Sequence, residues 1–137
     1  MALEKTWAEQ LAESDTIDIR VVPRERRGLT PGKTMLYPSA QMLNQLIRAI
    51  PEGESVTPKE LRATLADQHD VDYICPVTTT MMLRVVAEAA NESRTGGVPL
   101  AEVTPIWRAL DGKASALRKL TFDPGWIIAE RARESTS

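Results

Sequence analysis

The sequence predicts a mainly α fold: a helix-turn-helix (winged-helix-like) core with an N-terminal appendage and room for only a small wing or sheet. Three observations carry this. Apolar residues recur at i, i+3 and i+4 in successive segments. Two neighbouring helices, one opening at Thr57-Pro58 and the next just after Pro76, are joined by a short connection. Strand signals are few, the clearest being Ile17-Asp18-Ile19-Arg20-Val21-Val22, which alternates and then turns apolar.

Taken in order, Leu3, Trp7, Ala8 and Leu11 have helical spacing, and Ser14-Asp15 is the expected stop. The run from Ile17 to Val22 reads as a short strand or an extended arm, ended by Pro23. A basic loop punctuated by Pro and Gly follows, so an appendage of residues 1–33 is expected before a domain of residues 34–137. Ser39 caps a helix with the stripe Met42, Leu43, Leu46, Ile47 and Ile50, and Pro51-Glu52-Gly53 stops it. At the next start Thr57 is the cap, Pro58 the first helical residue and Glu60 the reciprocal acceptor of a capping box; the helix runs to about His69. Asp70 to Cys75 is the turn. Thr78 is the expected cap of the following helix, whose inward stripe is Met82, Val85, Val86, Ala89 and Ala90. Val98 to Leu110 reads as extended and broken by Pro105, Ala114 to Leu120 as a helical turn, and Trp126 to Arg133 as a last helix.

Composition narrows the function. At 137 residues the chain supports one modest core, and with 42% hydrophobic residues it is globular. Three tryptophans, two tyrosines and one phenylalanine leave aliphatic and Met side chains to fill the interior. A net charge of -2 excludes nucleic-acid binding by bulk charge, so any such binding needs a local basic face. Cys75 stands alone and cannot form an intramolecular disulfide, which fits a reducing, cytoplasmic setting. No apolar run reaches membrane-spanning length. One His and one Cys do not make a metal set, and neither metal nor cofactor is expected.

The candidate contacts follow from the two-helix unit. Thr78, Thr79 and Thr80 at the start of the second helix have hydroxyls suited to phosphates or base edges, assisted by the helix N-terminus. Arg84 lies a turn deeper and either reaches a phosphate or pairs with Glu88 at i+4. Lys59 and Arg62 of the first helix are placed for backbone phosphates. Arg20, Arg24, Arg26, Arg27 and Lys33 form a possible basic arm, with a solvated loop as the plainer alternative. Cys75 and His69 flank the turn, but no orienting group or oxyanion site accompanies them, and the cysteine reads as a small buried hydrophobe.

Four segments, in this order and spacing, resemble the DNA-binding domain of the 6-O-alkylguanine-DNA alkyltransferases and their alkyltransferase-like relatives. They are Ala49-Ile50-Pro51-Glu52-Gly53, Val56-Thr57, Met82-Leu83-Arg84 and Thr104-Pro105-Ile106-Trp107-Arg108. The resemblance spans about Tyr37 to Arg108. It implies that Pro105, Ile106, Trp107 and Arg108 occupy the place of the family's reactive Pro-Cys-His-Arg motif, as a degenerate pocket. The acceptor cysteine then falls on Ile106 and its histidine on Trp107, which excludes alkyl transfer, since neither side chain offers the nucleophile or the base. The family's base-flipping tyrosine and arginine fall on Pro58 and about Val77. The resemblance therefore implies a non-enzymatic, alkyltransferase-like protein that binds double-stranded DNA, connected with repair or alkylated-base sensing. The alternative is a protein-protein interaction adapter on the same scaffold, with Trp7 or Trp126 as an anchor and a protein partner in place of DNA.

Overall fold

Most helices begin where a side chain can accept an otherwise orphaned backbone amide. In the computed structural model, which describes residues 5–25 and 28–135, α1 (Trp7–Glu13) opens with a capping box between Thr6 and Glu9. α2 (Ala40–Arg48) opens with the Ser39 hydroxyl accepting from the Met42 amide. α3 (Pro58–His69) has the Thr57/Glu60 capping box with Pro58 in its first turn. It closes on Asp70 in the left-handed conformation (φ 50°), which a short polar side chain tolerates. α4 (Pro76–Thr95) and α5 (Gly125–Ser135) complete the α-helices among the described residues.

The cap of α4 differs from the expectation. Cys75, not Thr78, holds that position, its Sγ accepting from the Thr78 amide at 3.5 Å while Pro76 starts the helix. Proline has no amide to satisfy and its fixed φ suits a first helical residue, so the helix opens ahead of the threonines.

The sheet has three short strands in the order β1-β2-β3: β1 (Asp18–Val21), β2 (Thr34–Tyr37) and β3 (Tyr73–Ile74). β1 runs antiparallel to β2, with Ile19 opposite Leu36 and Arg20 opposite Met35; β3 runs parallel to β2. The connection between α3 and α4 thus carries a strand within it. The division at residue 33 does not correspond to a break in packing. β1 and β2 pair across it, and α1 is fastened to α4 by Glu92, whose carboxylate accepts from the Trp7 and Ala8 amides at 3.1 Å each. Ser14 ties the same segment to α2: its hydroxyl accepts from the Ala40 amide and its carbonyl from the Gln41 amide.

α4 lies at the centre. Leu83, Val86, Ala87 and Ala90 are buried in the core, and the alanines let neighbouring elements approach closely. Leu43 and Ile47 of α2, Leu61 and Leu65 of α3, Leu36 and Ile74 of the sheet, and Ile127 of α5 join the same cluster. The segment read as extended from Val98 to Leu110 instead contains two 3-10 turns, Leu100–Glu102 and Ile106–Arg108; a third is Ser115–Lys119. Its side chains Val103, Ile106, Trp107, Ala109 and Leu110 are buried, so it is part of the core. No helix is long and apolar enough to cross a membrane among the described residues.

Candidate nucleic-acid interface

The start of α3, the N-terminal half of α4 and the turn before the third 3-10 helix converge on one shallow hollow of about 250 Å³. Lys59, Arg62, Thr80, Asp111 and Lys113 line it. Three of these, Lys59, Arg62 and Thr80, are residues that the sequence singles out. Lys113 was not expected, because it sits in the Asp111-Gly112-Lys113 turn, where no periodic pattern marks a face. Lys59 and Lys113 are exposed and Arg62 is half-buried. Three cations beside a single carboxylate make this a local basic face on an acidic chain, suited to a phosphate oxygen.

The other threonines and Arg84 are placed differently. Thr79 is fully buried, its hydroxyl donating to the Cys75 carbonyl at 2.7 Å, so it braces the first turn of α4 and is closed to a ligand. Thr78 is half-buried beside the cap. Arg84 turns toward α1: its guanidinium lies 5.2 Å from the centre of the Trp7 ring, and its Nε is 3.9 Å from Glu88 Oε2. Glu88 is itself buried, accepting from the Thr121 amide at 2.6 Å and hydroxyl at 2.7 Å. Arg84 therefore packs between α1 and α4, with its side chain 37% exposed.

The basic arm is divided. Arg20 belongs to β1, bonded to Asp18 at 2.6 Å and lying over the Tyr37 ring. Arg24 and Lys33 are exposed in the loop; Arg26 and Arg27 lie outside the described residues. Arg20 and Arg24 border a mainly apolar hollow of about 690 Å³ with Val22, Met35, Cys75 and Val77. His69 borders a different hollow, so it and Cys75 do not form a pair facing one cavity.

Pro105, Ile106 and Trp107 are buried and Arg108 nearly so. The indole of Trp107 packs edge-on to Trp126, with ring centres 6.1 Å apart. The space beside Trp107 and Arg108 is about 10 Å³, room for no more than a water. It is closed by Arg108, which bonds Glu134 through two nitrogens at 2.8 and 2.7 Å and the Ile50 carbonyl at 2.9 Å. Arg131 adds bonds to the Val56 and Trp107 carbonyls at 3.0 and 3.2 Å. The bidentate Arg108 guanidinium holds the Glu134 carboxyl below the usual carboxylate range, against the opposing pull of burial. In return the carboxylate raises the affinity of Arg108 for its proton. Sequence reasoning missed Glu134, because its partner is 26 residues away and no local pattern links them.

Comparison with known proteins finds no matching family model, no matching curated protein and no matching solved structure. The geometry of the chain itself is what bears on function.

Proposed function

We propose that the protein binds double-stranded DNA as a non-enzymatic, alkyltransferase-like scaffold, holding the phosphate backbone and performing no chemistry on it. The observation that carries this reading is the convergence of Lys59, Arg62, Thr80 and Lys113 on one hollow between α3 and α4. In this reading α3 braces and the first half of α4 lies against a groove, as in a helix-turn-helix unit. The absence of a nucleophile at Ile106 and the packed state of Trp107 support binding without alkyl transfer. With only about 10 Å³ beside Trp107, an extruded base finds no room in this conformation, so backbone contact rather than lesion reading is favoured.

Fluorescence anisotropy on a duplex, with and without one 6-O-alkylguanine and at two salt concentrations, tests this. Binding that weakens with salt, equal for both duplexes and lost in Lys59→Glu/Arg62→Glu, is the expected result. Binding unchanged by that double substitution overturns the docking surface; no binding at low salt overturns the DNA reading.

A second reading has its own observation. Val77 and Met81 lie on the outer face of α4, 59% and 53% exposed, where a groove-reading helix ordinarily presents polar side chains. They favour the adapter, with α4 offered to a protein partner. Under that reading Val77→Asp/Met81→Asp abolishes partner capture while the Lys59 and Arg62 variants do not.

A further inference from the structure

β1 lies at the edge of the sheet, and among the described residues no strand covers its outer side. Its side chains divide by face. Ile19 and Val21 stand opposite Leu36 and Thr34, and Ile17 follows by alternation. These three are 41% (Ile17), 50% (Ile19) and 62% (Val21) exposed and form a continuous apolar stripe, whereas the other exposed large apolar side chains among the described residues, Val77, Met81, Val98 and Ile128, lie on other elements. Asp18 and Arg20 occupy the other face, opposite Tyr37 and Met35.

The backbone divides in the same way. Val22 donates its amide to the Lys33 carbonyl at 2.8 Å and accepts from the Gly32 amide at 2.9 Å, so its polar groups point toward β2. Alternation gives Asp18 and Arg20 that inward direction and leaves the amides and carbonyls of Ile17, Ile19 and Val21 pointing outward. An edge of this kind, apolar, unpaired and with no proline from Ile17 to Val21, is a template for another strand.

We propose that the occupant is a second copy of this chain, joined through β1 to β1 in antiparallel pairing about a two-fold axis at Ile19. Asp18 and Arg20, bonded to each other within the chain at 2.6 Å and still partly exposed, are two residues apart, so their charges favour an antiparallel copy of the same strand and disfavour the two adjacent registers. Centred on Ile19, Asp18 of each copy faces Arg20 of the other, Ile19 faces Ile19, and Ile17 faces Val21. The outward groups of Ile17, Ile19 and Val21 become the hydrogen-bonded pairs. Centring on residue 18 sets Asp18 against Asp18, and centring on residue 20 sets Arg20 against Arg20; both oppose like charges. A register displaced by an odd number sets inward-pointing groups against outward ones and forms no ladder. The two-fold makes the interface isologous, so it closes at two chains and does not propagate. The sheet becomes six-stranded.

Charge exchange tests it. Sedimentation velocity of the full chain at high micromolar concentration is expected to give the mass of two chains. Asp18→Arg alone and Arg20→Asp alone are each expected to sediment as one chain, because each sets like charges opposite. Mixed in equal amounts, the two variants are expected to regain the mass of two chains, since the paired arginines of one then face the paired aspartates of the other. Circular dichroism matching the wild type confirms that both variants fold, their changes being at exposed or half-buried edge positions. Ile19→Pro is a further check: it removes an outward amide without touching the β1–β2 ladder and is expected to give single chains. A single-chain mass for the wild type overturns the proposal. So does a two-chain mass unaffected by any of these substitutions, or failure of the two charge variants to associate on mixing.

Discussion

Arg108 and Glu134 show how far one side-chain pair can shape a region. The two residues are 15% and 6% exposed in their side chains, and their paired bonds leave Glu134 far better solvated by protein than by water. Removing one partner strands the other, so Glu134→Ala is expected to cost about 3–5 kcal/mol in a denaturant titration. The pH dependence has a definite sign. The folded-state value of Glu134 lies below that of the unfolded chain, so the unfolded chain takes up its proton first as pH falls. The stability supplied by the pair is complete above the unfolded value of about 4.3 and is lost as pH drops through the lowered folded one. Thermal melts from pH 6 downward are expected to fall more steeply for the wild type than for Glu134→Gln; parallel curves would sink this account. Trp107 makes the same point in apolar terms. Trp107→Ala is expected to cost about 3–5 kcal/mol, as for other buried aromatics cut to Ala, because the indole fills space between α5 and the 3-10 turn.

At the scale of elements, the helices were legible wherever the signal was local. Thr57, Pro58 and Glu60 lie within four residues, and their capping box forms as the pattern requires. Thr57→Ala is accordingly expected to lower stability by about 1 kcal/mol, read as a shift in denaturant midpoint at constant slope. Cys75 was missed as a cap because sulfur is a weak acceptor, and three threonines just downstream offered stronger ones. The strands were less legible. β2 has four residues and β3 two, too short for alternation to show, and each exists because it pairs with a segment distant in sequence. The stretch through Val103 to Leu110 misled for a related reason: it reads as extended and broken by Pro105, but burial of Ile106, Trp107 and Leu110 coils it into 3-10 turns.

Over the whole molecule, the proposed DNA contact depends on how a weakly acidic chain distributes its charge. Lys59 and Arg62 come from one segment and Lys113 from another far along the chain, so their convergence is a property of the tertiary fold. Part of the face was readable from α3 alone, whereas Lys113 was not. If all three cations meet phosphates, the logarithm of affinity should fall with the logarithm of salt with a slope of about -2.7, at roughly 0.9 per contact. Lys113→Ala should then reduce that slope by about 0.9 and weaken binding equally across sequences, as measured by anisotropy over a salt series. A slope unchanged by Lys113→Ala would place the contact elsewhere.

Two consecutive residues of α4 fasten both flanking helices. Glu92 takes the first amides of α1, and its neighbour Asn91 takes the Trp126 indole N–H of α5 at 3.0 Å. One turn of α4 thus serves two neighbours at once, so a substitution at Asn91 or Glu92 reaches a helix from each end of the chain.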